Sequence, residues 1–123
     1  MSDRTLLESV ARRAMQQYGL EPDFPAAALT AASSARATAP DGVRDLRNLP
    51  WSSIDNDESR DLDQLEVCDG ESGSASRVLV AIADVDAFVA QGDAVDSHAQ
   101  TNTTSVYTAA RIFPMLPETL STD

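Results

Sequence analysis

The amino-acid sequence predicts an α+β chain, with a helical arm at the amino end followed by an antiparallel hairpin and a further helix. Three observations carry that expectation. Leu7, Val10, Ala14 and Tyr18 recur at helical spacing in a segment otherwise poor in large apolar residues. Residues 62–67 (Leu-Asp-Gln-Leu-Glu-Val) alternate as a half-buried strand does. Arg77 to Val85 is apolar on both faces, as a central strand would be.

Each element has its own local warrant. Thr5 and Glu8 stand at capping-box spacing, and Gly19 suits the end of the first helix. Asp23 is placed to cap a second helix, with Pro25 in its first turn and the Ala-rich run to Ala37 as its body. Pro40-Asp41-Gly42 reads as a turn. Residues 1–48 therefore form a helical extension. It reads either as a docking arm or partly disordered linker that lies on something else, or as a small recognition module. Beyond it, residues 68–76 read as a loop rich in Gly, Ser and acids, joining the two strands into a hairpin. Asp93 is placed to cap a helix through Gln100, and residues 105–107 look extended. Pro114 and Pro117 keep the segment after Phe113 irregular. The chain stops at Asp123 with no closing element, which reads as a truncation.

Composition narrows the classes. Leu, Ile, Val and Phe supply 26 of the 123 residues, while Ala supplies 19. That lies at the edge of the ~20% below which chains fail to bury enough apolar surface. The net charge is −11, from 20 acids against nine bases, all of them Arg. Simple electrostatic attraction to nucleic acid, which shows a basic face, is argued against, and no DNA partner is expected. No run approaches the ~18 apolar residues of a membrane span, so no membrane partner is expected. A basic segment followed by an apolar core, as in a secretory leader, is absent. Cys68 is single and cannot form an internal disulfide, and one Cys with one His does not make a structural zinc site. A soluble cytoplasmic protein is expected.

The acidic segment carries the chemistry. Residues 55–66 read Asp-Asn-Asp-Glu-Ser-Arg-Asp-Leu-Asp-Gln-Leu-Glu. On a strand, Asp61 and Asp63 continue the face that Leu65 and Val67 commit to the interior. Like charges beside apolar neighbours need a compensating cation or proton, and such oxygen donors suit Mg²⁺ or Mn²⁺. Asp55, on the preceding loop, can fold back to the same point. If Val67 pairs with Val78, Asp61 falls opposite Asp84. Plainer readings stand beside this one. The run is also a solvated acidic loop by composition, and Asp84 also a strand-end cap. A calcium-binding loop matches in part but lacks its glycine, because Arg60 occupies that position.

Four motifs occur in order: Ile54-Asp55 with Asp61-Leu62-Asp63; Ile82-Ala83-Asp84-Val85; Thr104-Ser105-Val106-Tyr107; and Arg111-Ile112-Phe113-Pro114-Met115-Leu116-Pro117-Glu118. This set resembles the start of the catalytic domain of the ribonuclease II / ribonuclease R family, the RNB domain. The resemblance covers about residues 49–123, as the amino-terminal part of a truncated RNB-like domain. The first 48 residues do not match the cold-shock domains that precede it in many members.

The resemblance implies an exoribonuclease that degrades single-stranded RNA from the 3′ end to nucleoside 5′-monophosphates, and a monomer is expected for the complete protein. By motif match Asp55, Asp61 and Asp63 take metal positions, with Asp63 also catalytic. Tyr107 matches the aromatic that stacks on the last base, against an ordinary strand tyrosine. Arg111 is either an RNA phosphate contact or a structural ion pair. One position departs from the family pattern. Gln64 stands where a fourth acid is usual, and Gln cannot supply its charge. A catalytically inactive RNA-binding relative and an acidic cation-binding module are the alternatives.

Overall fold

The computed structural model describes residues 3–37, 41–60 and 62–121. Asp61 and Pro40, used above in the acidic face and in a turn, lie outside them. The chain is α+β, in the order α1 (Asp3–Gln17), α2 (Ala26–Ser34), β1 (Gln64–Ser72), β2 (Ala75–Ile82), α3 (Ala94–Asn102), β3 (Val106–Tyr107), β4 (Ile112–Phe113) and α4 (Glu118–Ser121). A 3₁₀ turn spans Val85–Ala87. No helix among the described residues is long and apolar enough to cross a membrane.

Helix α1 begins two residues before the expected cap at Thr5. It ends as expected at Gly19. There the Gly19 and Leu20 amides donate to the Gln16 and Met15 carbonyls, and φ is +77°, a conformation only glycine adopts without strain. Helix α2 starts at Ala26 after Pro25, with no side-chain cap, and stops at Ser34 rather than Ala37. Asp23 lies two residues before the Pro25 cap position, and its carboxylate is ion-paired with Arg12. Helix α3 follows the expectation: the Asp93 carboxylate accepts from the Val95 and Asp96 amides.

The expected loop over residues 68–76 is mostly strand. Strands β1 and β2 are joined by the two-residue turn Gly73–Ser74, with an irregularity between Cys68 and Glu71. Gly73 supplies the positive φ (+62°) that so tight a turn demands. The bulge puts one extra residue on β1, so the pairs on its two sides differ by one in register. Val67 pairs with Leu79, not Val78. Ser52 bridges Glu66 on the far side of β1, which leaves β2 at the edge.

The apolar core is small, as the composition requires. Ala28 and Ala32 of α2 face Val95 of α3, with Val89, Leu116 and Leu120 around them. Short side chains let the two helices approach closely, but each buries little area. Polar latches supplement this contact. The Asn102 side chain accepts from the Glu21 amide and donates to the Glu21 carbonyl, both at 2.8 Å. Its amide nitrogen also lies 3.1 Å from His98 Nε2. The buried His98 ring lies 3.0 Å from a Glu21 carboxylate oxygen through Nδ1, and its centroid is 4.4 Å from that of Phe24. The segment joining α1 to α2 is thereby fastened to α3.

Candidate functional site

The acidic segment leaves the bridge at Ser52 and returns to the sheet at Asp63. Between them a turn closes where the Ser59 amide donates to the Asn56 carbonyl at 3.0 Å. The Asp63 carbonyl accepts from the Ala83 amide at 2.8 Å, one residue beyond the Gln64–Ile82 pair. Its backbone is thus pinned to the hairpin end while its carboxylate is exposed. Asp55 is exposed at the start of the loop. Asp84 opens the 3₁₀ turn, and its side chain forms no capping bond there.

Loop residues 56–60 form one wall of a groove of about 830 Å³. Tyr107, Ile112, Pro114 and Glu118 line the other wall. The expected aromatic, 66% exposed on β3, therefore lines the same groove as residues 56–60. Neither Asp55 nor Asp63 lines this groove directly. Among the described residues no three His, Cys, Asp or Glu side chains converge on a metal position. The third expected donor, Asp61, is outside those residues. The donor chemistry of exposed carboxylates suits a hard divalent cation such as Mg²⁺.

Gln64, at the departing position, donates its amide to the Glu66 carboxylate on the same strand face. The other Glu66 oxygen is buried and accepts nothing from the described residues. Arg111 is in the ion-pair arrangement of its two readings, with Nη1 3.1 Å from Glu8 Oε1 of α1. That contact, and the Arg12 contact at 3.3 Å, hold the Glu8 carboxyl below the usual carboxylate range, Arg111 contributing most. Sequence reasoning missed Glu8 and Arg12 here. Their i, i+4 spacing on one helix face was the available signal, but nothing local named the distant partner.

A groove lined by the acidic segment and an exposed aromatic, on an α+β scaffold, is the candidate site of this class of chain. The particular family follows from comparison with known proteins. The RNB domain profile matches residues 43–123, about two thirds of the chain, and the chain belongs to that family. Ribonuclease R of Escherichia coli (strain K12) is 42% identical over 80 residues, which cover 65% of this chain and 10% of that protein. Ribonuclease R of Acidithiobacillus ferrooxidans is 39% identical over 113 residues, 88% of this chain and 25% of that protein. That longer match takes in part of the helical arm as well. DIS3-like exonuclease 2 of Xenopus tropicalis is 43% identical over 77 residues, 63% of this chain and 9% of that protein. The chain spans about a tenth to a quarter of the length of these curated relatives.

Proposed function

We propose that this chain supplies the acidic part of the catalytic centre of an exoribonuclease, which shortens single-stranded RNA from its 3′ end and releases nucleoside 5′-monophosphates. The observation that carries the reading is a groove lined by both residues 56–60 and Tyr107 in a chain of the RNB family. Asp55, Asp61 and Asp63 would hold Mg²⁺, or Mn²⁺ in its place. When bound, such an ion supplies a polarised water and offsets charge on the phosphate oxygens. The chain's own residues do the rest. Asp63, on a pinned backbone, orients the attacking water with its exposed carboxylate. Tyr107 offers a stacking face to the terminal base, and because every base has a π-face this contact tolerates any sequence. Ile112 and Pro114 extend the apolar side of the groove under that base. Arg111, tied to Glu8, acts on the position of the groove wall rather than on phosphate. The complete protein is read as a cytoplasmic monomer.

One observation favours a second reading. Gln64 commits its amide to Glu66 and brings no carboxylate to the site, as in a relative that binds RNA without cleaving it. The complete protein, incubated with 5′-labelled single-stranded RNA in Mg²⁺ and then in chelator, distinguishes the two. Stepwise shortening from the 3′ end that stops in chelator is expected. RNA binding without any hydrolysis would establish the inactive relative instead. Tight Ca²⁺ binding with no RNA binding would sink both.

A further inference from the structure

Strands β3 and β4 share only two cross-strand pairs, Val106–Phe113 and Tyr107–Ile112. A hairpin this small does not hold its own geometry in water. Its turn is closed locally, where the Thr108 hydroxyl donates to the Arg111 carbonyl at 2.6 Å and accepts from the Arg111 amide at 3.0 Å. Helix α1 contributes to anchoring it to the rest of the molecule. Three residues one turn apart on that helix each grip the hairpin. The Arg4 Nε donates to the Ala110 carbonyl at 3.2 Å. The Glu8 carboxylate accepts from Arg111 at 3.1 Å. The Arg12 guanidinium lies 5.7 Å from the Phe113 ring centroid, and the Arg111 guanidinium lies 5.1 Å from the same ring. Phe113, 2% exposed, is thus held by two cations. Glu8 bridges them, since it also accepts from Arg12 at 3.3 Å.

We infer that Glu8, with Arg4 and Arg12, forms a clamp by which the helical arm positions the Tyr107-bearing hairpin against the acidic wall of the groove. Glu8 touches neither RNA nor the reacting phosphate; it is a positioning residue acting through Arg111 and Phe113. The arm is thereby a working part of the RNA site. The inference rests on the reading of Tyr107 as the base-stacking residue. A stacking platform moved out of place weakens the hold on the RNA end in ground state and transition state alike, so the loss falls on KM and leaves kcat.

The experiment is a double-mutant cycle on Glu8 and Tyr107 in the complete enzyme, with a short oligouridylate as substrate. Tyr107→Ala is expected to raise KM at least about 5-fold, the lower end of a lost stacking contact. Glu8→Ala is expected to raise KM about 3- to 10-fold, the scale of indirect coupling, with kcat changed by less than about 2-fold. In the Tyr107→Ala background, Glu8→Ala should then add less than about 2-fold. Arg111→Lys, which loosens the same contact from the other side, should reproduce the Glu8→Ala profile. If Tyr107→Ala raises KM but Glu8→Ala and Arg111→Lys do not, the clamp is wrong and the stacking role stands. Full additivity of the two substitutions would likewise overturn the clamp. If Tyr107→Ala leaves KM unchanged, the stacking role itself fails, and the clamp with it.

Discussion

Asp63 carries the catalytic proposal at the scale of a single residue. The main chain is fixed by the hydrogen bond from Ala83, at the point where β1 begins, and the carboxylate stays exposed. A ligand on a rigid backbone loses little freedom when it binds a cation or orients water. Removing its charge should therefore depress turnover much more than RNA binding. In the complete enzyme, Asp63→Asn is expected to bind single-stranded RNA nearly normally and to lose hydrolysis by at least about 10²-fold, the scale of one preorganised electrostatic group. Binding measured in chelator and single-turnover cleavage in Mg²⁺ separate the two effects. Near-normal cleavage would remove Asp63 from the site. Motif order singles out the acids and Tyr107 as candidates directly from the sequence. The partner of Arg111 was not legible there, because Glu8 lies 103 positions away and only the folded arm brings it near.

At the scale of elements, what was legible depended on whether the determining contact was local. The α3 cap was readable because Asp93 bonds amides two and three residues on. The start of α2 was not, because the helix begins after Pro25, two residues beyond Asp23, whose carboxylate pairs with Arg12 of another helix. The hairpin was readable from alternation, but its register was not: a bulge near Gly70 offsets the pairs from Gln64 to Cys68 by one relative to those next to the turn. The α1 clamp adds a pH dependence of definite sign. The Glu8 carboxyl is held below its usual range by Arg111 and then Arg12, and Asp23 below its range by Arg12. A depressed carboxyl stabilises the fold above its unfolded value, and that contribution is lost as pH falls through the folded one. The clamp should accordingly be constant from about pH 8 to 5 and loosen below that. Followed by NMR at the Phe113 ring, the acid transition should be reduced in Glu8→Gln. An unchanged transition in that variant would show that Glu8 does not set it.

The whole molecule holds together with little apolar area and many polar fasteners, as a composition rich in Ala and low in Leu, Ile, Val and Phe taken together anticipates. One consequence concerns β2. No described strand pairs with its outer edge, and Val78, Val80 and Ile82 are each more than half exposed on one face. An open, apolar strand edge is a template for association with other chains. The 123-residue chain on its own is expected to self-associate at high concentration, and its net charge of −11 slows this without removing the edge. Val80→Lys is the informative substitution. Val80 stands directly opposite Glu66 in the ladder, so a lysine there forms a cross-strand pair of opposite charge while interrupting the apolar row. Because Val80 is already 55% exposed, the lost burial is small, and stability should change by less than about 1 kcal/mol. Light scattering across a concentration series should show association of the parent chain and a monomeric variant, with similar thermal midpoints measured in dilute solution. A parent chain that stays monomeric throughout, with strong cooperative amide protection across both β1 and β2, would show that the hairpin is complete without a further strand.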